Sequence, residues 1–250
     1  MHPLPWPLAA EVPTLEPLQV HLWQRSLSAP EAEREQLWSV LSAAEQERAQ
    51  RFVRLQDRQR FAIARGTLRQ LLGRYLGSDP GALNFAYGER GKPQLSREGG
   101  GLDLRFNLSH SQDLALYAVA LGTEVGIDVE KMNPKIDHEG ITRRFFSASE
   151  QQALFQLPTH QRSRAFFQLW TRKEACIKAM GGSLALGLHQ IDVAIALDQA
   201  IASIEFCAEN GQTWRWWVID LNPQDSYLGA LAIAKPPQAI HCWQWHSQLT

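Results

Sequence analysis

Hydrophobic and polar positions change their spacing several times along the first half of the chain, and each spacing predicts one kind of element. Residues 18–24 alternate between apolar and polar, as in a half-buried strand. Three segments with helical spacing follow, and Gly77 is placed to end the last of them. These helices are predicted at residues 31–38, after the capping-box pattern Ser42 to Glu45, and from about Asp57 to Leu76. Strands are then predicted between Asn84 and Glu130, at LRFNLSH, LALYAVAL and VGIDVE.

The second half begins with helices and ends with strands. Residues 147–150 form a second capping-box pattern, and Thr159 is predicted to cap a long helix that reaches about Met180. Four strands are predicted after this helix, at QIDVAIA, SIEFCA, WRWWVID and YLGALAIA. The pair Asn210-Gly211 predicts a hairpin turn between two of them.

The order of these elements indicates an α+β protein. Each half has a long helix next to a mostly antiparallel run of strands, so the halves could be one α+β unit used twice. No linker separates them, and we expect the division near residue 123, between an N-terminal half (1–123) and a C-terminal half (124–250). Five prolines in residues 1–17 predict an extended arm over the surface.

Composition narrows the classes of protein that the chain could belong to. The 250 residues are 44% hydrophobic and 20% charged, as in an ordinary soluble globular protein. The net charge is -1, so any anion site must be built locally from a few cations. The three cysteines are widely spaced, which argues against structural zinc or disulfides and fits a reducing cytoplasm. We expect neither a signal peptide nor a membrane-spanning segment.

The strand end GIDVE carries the first candidate chemistry. Asp128 and Glu130 are two residues apart, so they project from the same face of the strand. Two neighbouring carboxylates repel each other and need a cation, and oxygen ligands without His or Cys favour Mg²⁺ over zinc. Taken alone, such a pair is more often a polar strand end that faces water.

The long helix of the second half adds a third carboxylate. Trp170, Glu174 and Lys178 are four residues apart and therefore lie on one helix face. An acid and a base at this spacing usually form only a surface ion pair. Here the helix is apolar on nearly all sides, which predicts burial between layers, and a buried Glu beside a buried Lys needs a reason.

Three further polar stretches have ordinary explanations when each is taken alone. Residues 109–111 (Ser-His-Ser) end a strand, where the histidine would be packed and hydrogen-bonded. Residues 89–93 contain Gly-Lys-Pro, which is typical of a turn with a solvated lysine. The arginines between Arg48 and Arg74 are more often a solvated helix face or a weak nucleic-acid patch.

Together and in this order, these stretches resemble the surfactin-synthetase-activating (Sfp) type of 4′-phosphopantetheinyl transferase. The motifs are DRQR (57–60), RGKP (90–93), FNLSHS (106–111), GIDVEK (126–131), RRFFSASE (143–150) and LWTRKEACIKAMGGSL (169–184). The combination of GIDxE with W-x-x-K-E-x-x-x-K about 45 residues further on is highly specific. The resemblance implies two similar α+β halves related by pseudo-twofold symmetry, with the active site in the cleft between them.

The resemblance also implies the substrates and the roles of individual residues. Coenzyme A and an apo acyl or peptidyl carrier protein are the expected partners, and Mg²⁺ is the expected cofactor. The expected metal ligands are Asp128, Glu130 and Glu174, and the expected catalytic residues are Glu174, Asp128 and Lys178. Contacts to coenzyme A are expected from Arg48, Arg60, Arg90, Lys92, Pro93, Ser109, His110, Lys173 and Lys178. The chain departs from the family before DRQR, where Glu45, Glu47 and Arg48 replace a lysine-containing cluster, so only Arg48 could serve there.

The residues are compatible with a mechanism of this kind. Mg²⁺ would bridge the pyrophosphate of coenzyme A to the three carboxylates, Lys178 would add positive charge, and Glu174 would take the proton of the carrier serine. Adenosine 3′,5′-bisphosphate would leave. The segment Met132 to Phe146, which contains Arg143 and Arg144, is a candidate landing surface for an acidic carrier, unless its phenylalanines are core and its arginines merely solvated.

Two alternatives come from other functional classes. One is a different Mg²⁺-dependent phosphotransferase or nuclease, and the other is a non-enzymatic nucleic-acid binder that uses the arginine-rich helix. We expect instead a cytoplasmic monomer that binds neither nucleic acid nor membrane.

Overall fold

The computed structural model of the chain describes residues 5–88, 92–96, 102–181, 191–193, 201–207 and 213–246. The helices are α1 (Glu31–Ser39), α2 (Ala43–Gln50), α3 (Leu55–Leu76), α4 (His138–Phe145), α5 (Ala148–Gln156) and α6 (Thr159–Ala179), with a 3₁₀ turn at Pro80–Ala82. The strands are β1 (Gln19–Ser26), β2 (Phe85–Tyr87), β3 (Pro93–Leu95), β4 (Leu104–Ser111), β5 (Leu114–Leu121), β6 (Val125–Lys131), β7 (Ile201–Cys207), β8 (Thr213–Leu221), β9 (Tyr227–Ile233) and β10 (Ala239–Gln244). None of these helices combines the length and the apolar character needed to span a bilayer.

Two four-stranded sheets form the body of the protein. The first has the order β10-β1-β5-β4 and the second β6-β9-β8-β7, and β2 and β3 make a separate short hairpin. The pairs are antiparallel except for β1 and β10, which run parallel. The last strand of the chain therefore returns to the sheet of the first half. β4 and β6 are edge strands, and they face each other across the junction of the two sheets.

The two sheets and the two long helices form four layers. One core lies between α3 and the first sheet, a second between α6 and the second sheet, and a third between the sheets themselves. Each half is thus a long helix packed on a four-stranded, mostly antiparallel sheet, which confirms the prediction of an α+β fold with two similar halves.

Strand β5 shows why this arrangement suits the sequence. Its continuous apolar run is buried on both faces because the strand lies in a middle layer. Tyr117 and Val119 belong to the core under α3. Leu116 and Ala118, which point the opposite way, belong to the core between the sheets. Burying one large apolar side chain in this way contributes about 1.5–3 kcal/mol.

Capping patterns in the sequence predicted several helix ends correctly. Ser42 and Ser147 both cap helices through complete capping boxes, as predicted. Gly77 ends α3 with a φ of 59°, a left-handed conformation that glycine adopts without strain. The cap predicted for Thr159 is wrong, because the extended residue before the helix is Pro158 and Thr159 is the first helical residue.

Two elements were not predicted. Helix α4 has only eight residues, and although its apolar residues Ile141 and Phe145 are at helical spacing, two positions are too few to identify a helix in the sequence. Strand β10 follows a proline pair near the end of the chain and is held by parallel pairing with β1, a contact distant in sequence. The predicted strand at residues 190–196 and the turn at 210–211 lie mainly outside the described residues. Strands β7 and β8 pair in antiparallel fashion on either side of that turn.

Candidate active site

Gly126 lets the long helix α6 lie directly on strand β6. A Cβ atom at this position would be 2.1 Å from Ala175 O and 2.3 Å from Ala179 N, both in the backbone of α6. Only a glycine permits this contact. The close approach brings the carboxylates of β6 next to Glu174 and Lys178 on the helix.

Asp128 is the most buried of the three candidate carboxylates, with 2% of its surface exposed. Its Oδ1 accepts hydrogen bonds from Lys178 Nζ at 2.6 Å and from Ser109 Oγ at 2.9 Å. Lys178 Nζ also donates to Ser109 Oγ at 2.8 Å. The second oxygen, Oδ2, is buried and has no hydrogen-bond partner among the described residues. A buried carboxylate oxygen without a partner is costly, and a cation would satisfy it.

Glu130 and Glu174 face the same region from the strand and from the helix. Ser111 Oγ donates to Glu130 Oε2 at 2.7 Å. Glu174 Oε1 is a second buried oxygen without a partner among the described residues. Burial and the charge of Asp128 raise the pKa of each glutamate to about 7. Lys178 lowers the pKa of Glu174, but the effect of burial is larger, so the net shift is upward.

The donor set has the chemistry of a Mg²⁺ site, because it consists of carboxylate oxygens without His or Cys. As the side chains stand, no three carboxylate, histidine or cysteine side chains in the described ranges converge closely enough to bind one ion. Lys178 and Ser109 already occupy one oxygen of Asp128. The two unpartnered oxygens, Asp128 Oδ2 and Glu174 Oε1, are therefore the ones best suited to a cation, and side-chain rotation would be needed to close the set.

A basic region continues from this site toward α3. His110 is exposed on β4, and loss of hydration together with the positive charges of Lys178, Arg60 and Arg65 lowers its pKa. Arg60 Nε and Nη2 both donate to Asp113 Oδ1, at 3.1 and 2.7 Å. This fork fixes the guanidinium beside the turn between β4 and β5. Arg60 Nη1 also lies 3.7 Å from Asp57 Oδ1, so an anion bound here would compete with two carboxylates for this guanidinium.

The arginine-rich stretch is not a uniformly solvated face. Arg69 Nε donates to Glu45 Oε2 at 2.6 Å, and both residues are buried. Arg65 Nε lies 3.8 Å from Glu45 Oε1, and only 6% of the residue is exposed. Arg48 is exposed, with its guanidinium 5.5 Å from the centre of the Phe61 ring. Glu45, one of the residues that depart from the family pattern, thus pairs with two buried arginines. The sequence alone did not indicate this pairing.

Lys92 lies at the junction of the two halves. Its ammonium donates to Glu124 Oε2 at 2.8 Å, Val125 O at 3.0 Å and Ala179 O at 3.1 Å. The side chain is buried and its three hydrogens are used within the protein. Lys92 thus binds the end of α6 to the start of β6. Pro93 begins β3, and Arg90 lies outside the described residues.

Lys173 does not point toward the three candidate carboxylates. It is fully buried, and its ammonium lies 2.8 Å from Glu150 Oε2, which is fully buried as well. The pair also contacts the backbone near Ile191 and Val193. Lys173 was predicted to contact coenzyme A, and its burial argues against that contact. It precedes Glu174 by one residue, so its side chain leaves the helix about 100° away from that of Glu174. The ion pair instead locks α5 onto α6.

The candidate docking segment combines core and surface residues. Phe146 is buried and stacks on Phe166 with ring centres 5.5 Å apart. Arg143 and Arg144 are exposed, and their guanidinium groups lie over the rings of Phe155 and Phe145 at 5.1 and 4.9 Å. Phe146 is therefore part of the core, Phe145 and Phe155 pack against it, and the two arginines lie on the outer side of these rings.

Comparison with known proteins gives consistent matches. The model of the 4′-phosphopantetheinyl transferase superfamily matches residues 124–232, and the model of the N-terminal region of 4′-phosphopantetheinyl transferases matches residues 25–121. The 4′-phosphopantetheinyl transferase HetI of Nostoc sp. (strain PCC 7120) is 40% identical over 216 residues, which are 86% of this chain and 88% of that protein. The 4′-phosphopantetheinyl transferase Sfp of Bacillus subtilis (strain 168) is 32% identical over 178 residues, 71% of this chain and 76% of that protein.

Proposed function

Because the chain belongs to the 4′-phosphopantetheinyl transferase superfamily, we propose that it transfers the 4′-phosphopantetheine group of coenzyme A to a serine of an apo acyl or peptidyl carrier protein, with Mg²⁺ as cofactor. Adenosine 3′,5′-bisphosphate is the other product. The observation that carries the proposal is that two buried carboxylate oxygens, Asp128 Oδ2 on β6 and Glu174 Oε1 on α6, lack a partner among the described residues, with Glu130 on the same strand face as Asp128.

Asp128, Glu130 and Glu174 would hold the Mg²⁺. The cation supplies positive charge to the pyrophosphate and to the phosphoryl oxygens during transfer. Lys178 donates hydrogen bonds to Asp128 and Ser109, which orient its side chain. The side chain is 29% exposed, so its ammonium group would add positive charge beside the substrate phosphates. The bound cation and Lys178 would thus both offset the negative charge of the substrate phosphates.

Glu174 is our candidate for the general base. Burial and the charge of Asp128 raise the pKa of Glu174 to about 7 in the metal-free protein, and a bound cation would lower it, so its role as a base is inferred from its place on the helix. Glu174 comes from α6 and the other two carboxylates come from β6, so we take the helix side as the one from which the carrier serine would enter. The proton passes from the serine hydroxyl to the Glu174 carboxylate, directly or through a water.

The nucleotide end of coenzyme A would lie along the basic region, with contacts from Arg60, His110, Ser109 and the more peripheral Arg48. Lys92 and Pro93 would contact the nucleotide through their backbone atoms. The ammonium group of Lys92 is already hydrogen-bonded to three groups of the protein. Lys173 would act only by supporting α6, and Arg90 remains a sequence prediction.

Each half would have its own task, with residues 1–123 binding the nucleotide and residues 124–250 holding the metal and the catalytic helix. Both sides of the cleft come from one chain, which supports a monomer. Cys176 and Cys242 are free and buried, which fits a cytoplasmic protein. The nucleic-acid alternative is weakened because Arg65 and Arg69 are buried beside Glu45.

The proposal is tested by mixing the protein with coenzyme A, Mg²⁺ and several apo carrier proteins and recording carrier masses. One phosphopantetheine group should be added to at least one carrier, and omission of Mg²⁺ or addition of EDTA should prevent it. Hydrolysis of coenzyme A without modification of any carrier would favour the alternative of a different Mg²⁺-dependent phosphotransferase.

A further inference from the structure

The two edge strands that meet at the cleft are joined by side chains. β4 ends the first sheet and β6 begins the second. Asn107, Ser109 and Ser111 alternate along β4, so all three point toward β6. We call these three residues the clasp. It connects the half that carries the basic region to the strand that carries two of the metal carboxylates.

Each clasp residue contacts a successive position of β6. Asn107 Oδ1 accepts the Ile127 N–H at 2.9 Å, and Ser109 Oγ donates to Asp128 Oδ1 at 2.9 Å. Ser111 Oγ donates to Glu130 Oε2 at 2.7 Å. The clasp therefore sets the register of the two strands and contacts both carboxylates of the strand.

Ser111 has a second contact that fixes the direction of its hydroxyl. Its Oγ accepts the Lys131 N–H at 3.2 Å. The amide N–H can only donate and an ionised carboxylate can only accept, so the hydroxyl oxygen faces the amide and its hydrogen faces Glu130. One oxygen of Glu130 is held in this way, and the other remains available to a cation. A glutamate has several rotatable bonds, so an anchor of this kind removes much of the ordering cost of ligation.

We propose that Ser111 is a positioning residue that holds Glu130 in the orientation required for cation binding, so that the N-terminal half helps to set the geometry of the metal site. The inference rests on the proposed function only in taking Glu130 as a ligand of the cation. Outer-shell partners of ligating carboxylates commonly change metal affinity by 10- to 100-fold when removed. A serine that merely joined the sheets would alter stability and leave the affinity unchanged.

The test uses Mn²⁺ as a spectroscopic substitute for Mg²⁺ and needs neither coenzyme A nor a carrier. Electron paramagnetic resonance of free Mn²⁺ gives the affinity of each variant. Ser111→Ala should bind Mn²⁺ on the order of 10-fold or more weakly. Ser111→Thr keeps the hydroxyl and should stay within a few-fold of the wild type. The matched control is Ser39→Ala, which removes an exposed serine hydroxyl at the end of α1 and should change nothing.

Amide hydrogen exchange and unfolding measurements separate positioning from general damage. Exchange should accelerate at Lys131 in Ser111→Ala, with the unfolding midpoint near that of the wild type. If Ser111→Ala does not fold, Ser111→Val and Ser111→Thr form a replacement pair of nearly equal shape that differs in the hydroxyl. The proposal would be overturned if Ser111→Ala had the Mn²⁺ affinity of the wild type, or if Ser111→Val had that of Ser111→Thr.

The outcomes also distinguish this proposal from the proposed function. Normal Mn²⁺ affinity in Ser111→Ala, together with carrier modification by the wild type, would reject the positioning role alone. No Mn²⁺ binding by the wild type, either alone or with coenzyme A present, would reject both the metal part of the function and the role of Ser111.

Discussion

Replacing Gly126 by alanine tests how closely the two carboxylate-bearing elements must approach. The added Cβ would lie 2.1 Å from Ala175 O, whereas ordinary van der Waals contact begins at 3.4 Å. Helix and strand would therefore have to separate by about 1.3 Å, the difference between these two distances. Both contacting groups are backbone, so no flexible side chain can rotate away.

We expect the Gly126→Ala protein to fold but to lose most of its activity. Overpacking of this kind typically costs about 1–3 kcal/mol of stability. A misplacement of about 1 Å at a reaction centre can cost on the order of 10²-fold in rate. The rate of carrier modification should therefore fall about 10²-fold, and the concentration of Mg²⁺ needed for half-maximal rate should rise.

Two other glycines provide matched controls. At Gly66 a Cβ would lie 2.5 Å from Leu37 O, so alanine should overpack the contact between α1 and α3 and cost similar stability away from the carboxylates. At Gly81 the nearest atom would be 3.5 Å away, so alanine should be neutral. The reasoning is refuted if folded Gly126→Ala keeps its rate within a few-fold, or if Gly66→Ala loses as much activity.

Three further predictions concern the carboxylates and the docking segment. Asp128→Ala should remove carrier modification while circular dichroism stays native, because the proposed metal ligand and the main partner of Lys178 are lost. A near-normal rate at limiting Mg²⁺ would contradict the metal assignment. Arg143→Glu with Arg144→Glu should raise the KM for the carrier and leave that for coenzyme A unchanged, whereas an equal effect on both would argue against docking there. The pKa of Glu130 is raised from 4.5 to about 7, so its ionisation opposes folding and stability is lost as pH rises through that window. Glu130→Gln in EDTA should therefore become more stable relative to wild type between pH 5 and about pH 8, as measured by urea unfolding, and a constant difference would disprove the shift.

The sequence predicted best those features that depend on neighbouring residues. The apolar run of β5, the capping boxes and Gly77 are local signals, and each has the expected structure. The shared face of Asp128 and Glu130 follows from the period of a strand. The same period would have identified Ser111 beside Ser109, since both alternate along β4.

Contacts between distant parts of the chain were not predictable from one sequence. Nothing local indicates that β10 pairs with β1, or that Glu45 holds Arg65 and Arg69 in the core. Lys92 was assigned by motif, but its ammonium is used to join α6 to β6. A motif gives the order of residues, while the packing of helix on sheet decides which of them reach the cleft.

Glu174→Gln is the most direct test of the claim that this carboxylate acts in the reaction as well as in metal binding. The substitution keeps the size and one oxygen ligand but removes the base and one negative charge. Affinity for coenzyme A, measured by calorimetry, should stay close to that of the wild type, because the basic region and Lys178 are intact. The kcat on one carrier should fall on the order of 10²-fold or more, the usual contribution of a positioned general base. Parallel loss of coenzyme A binding and kcat would show that Glu174 is only a binding ligand, and loss of neither would contradict the account of the site.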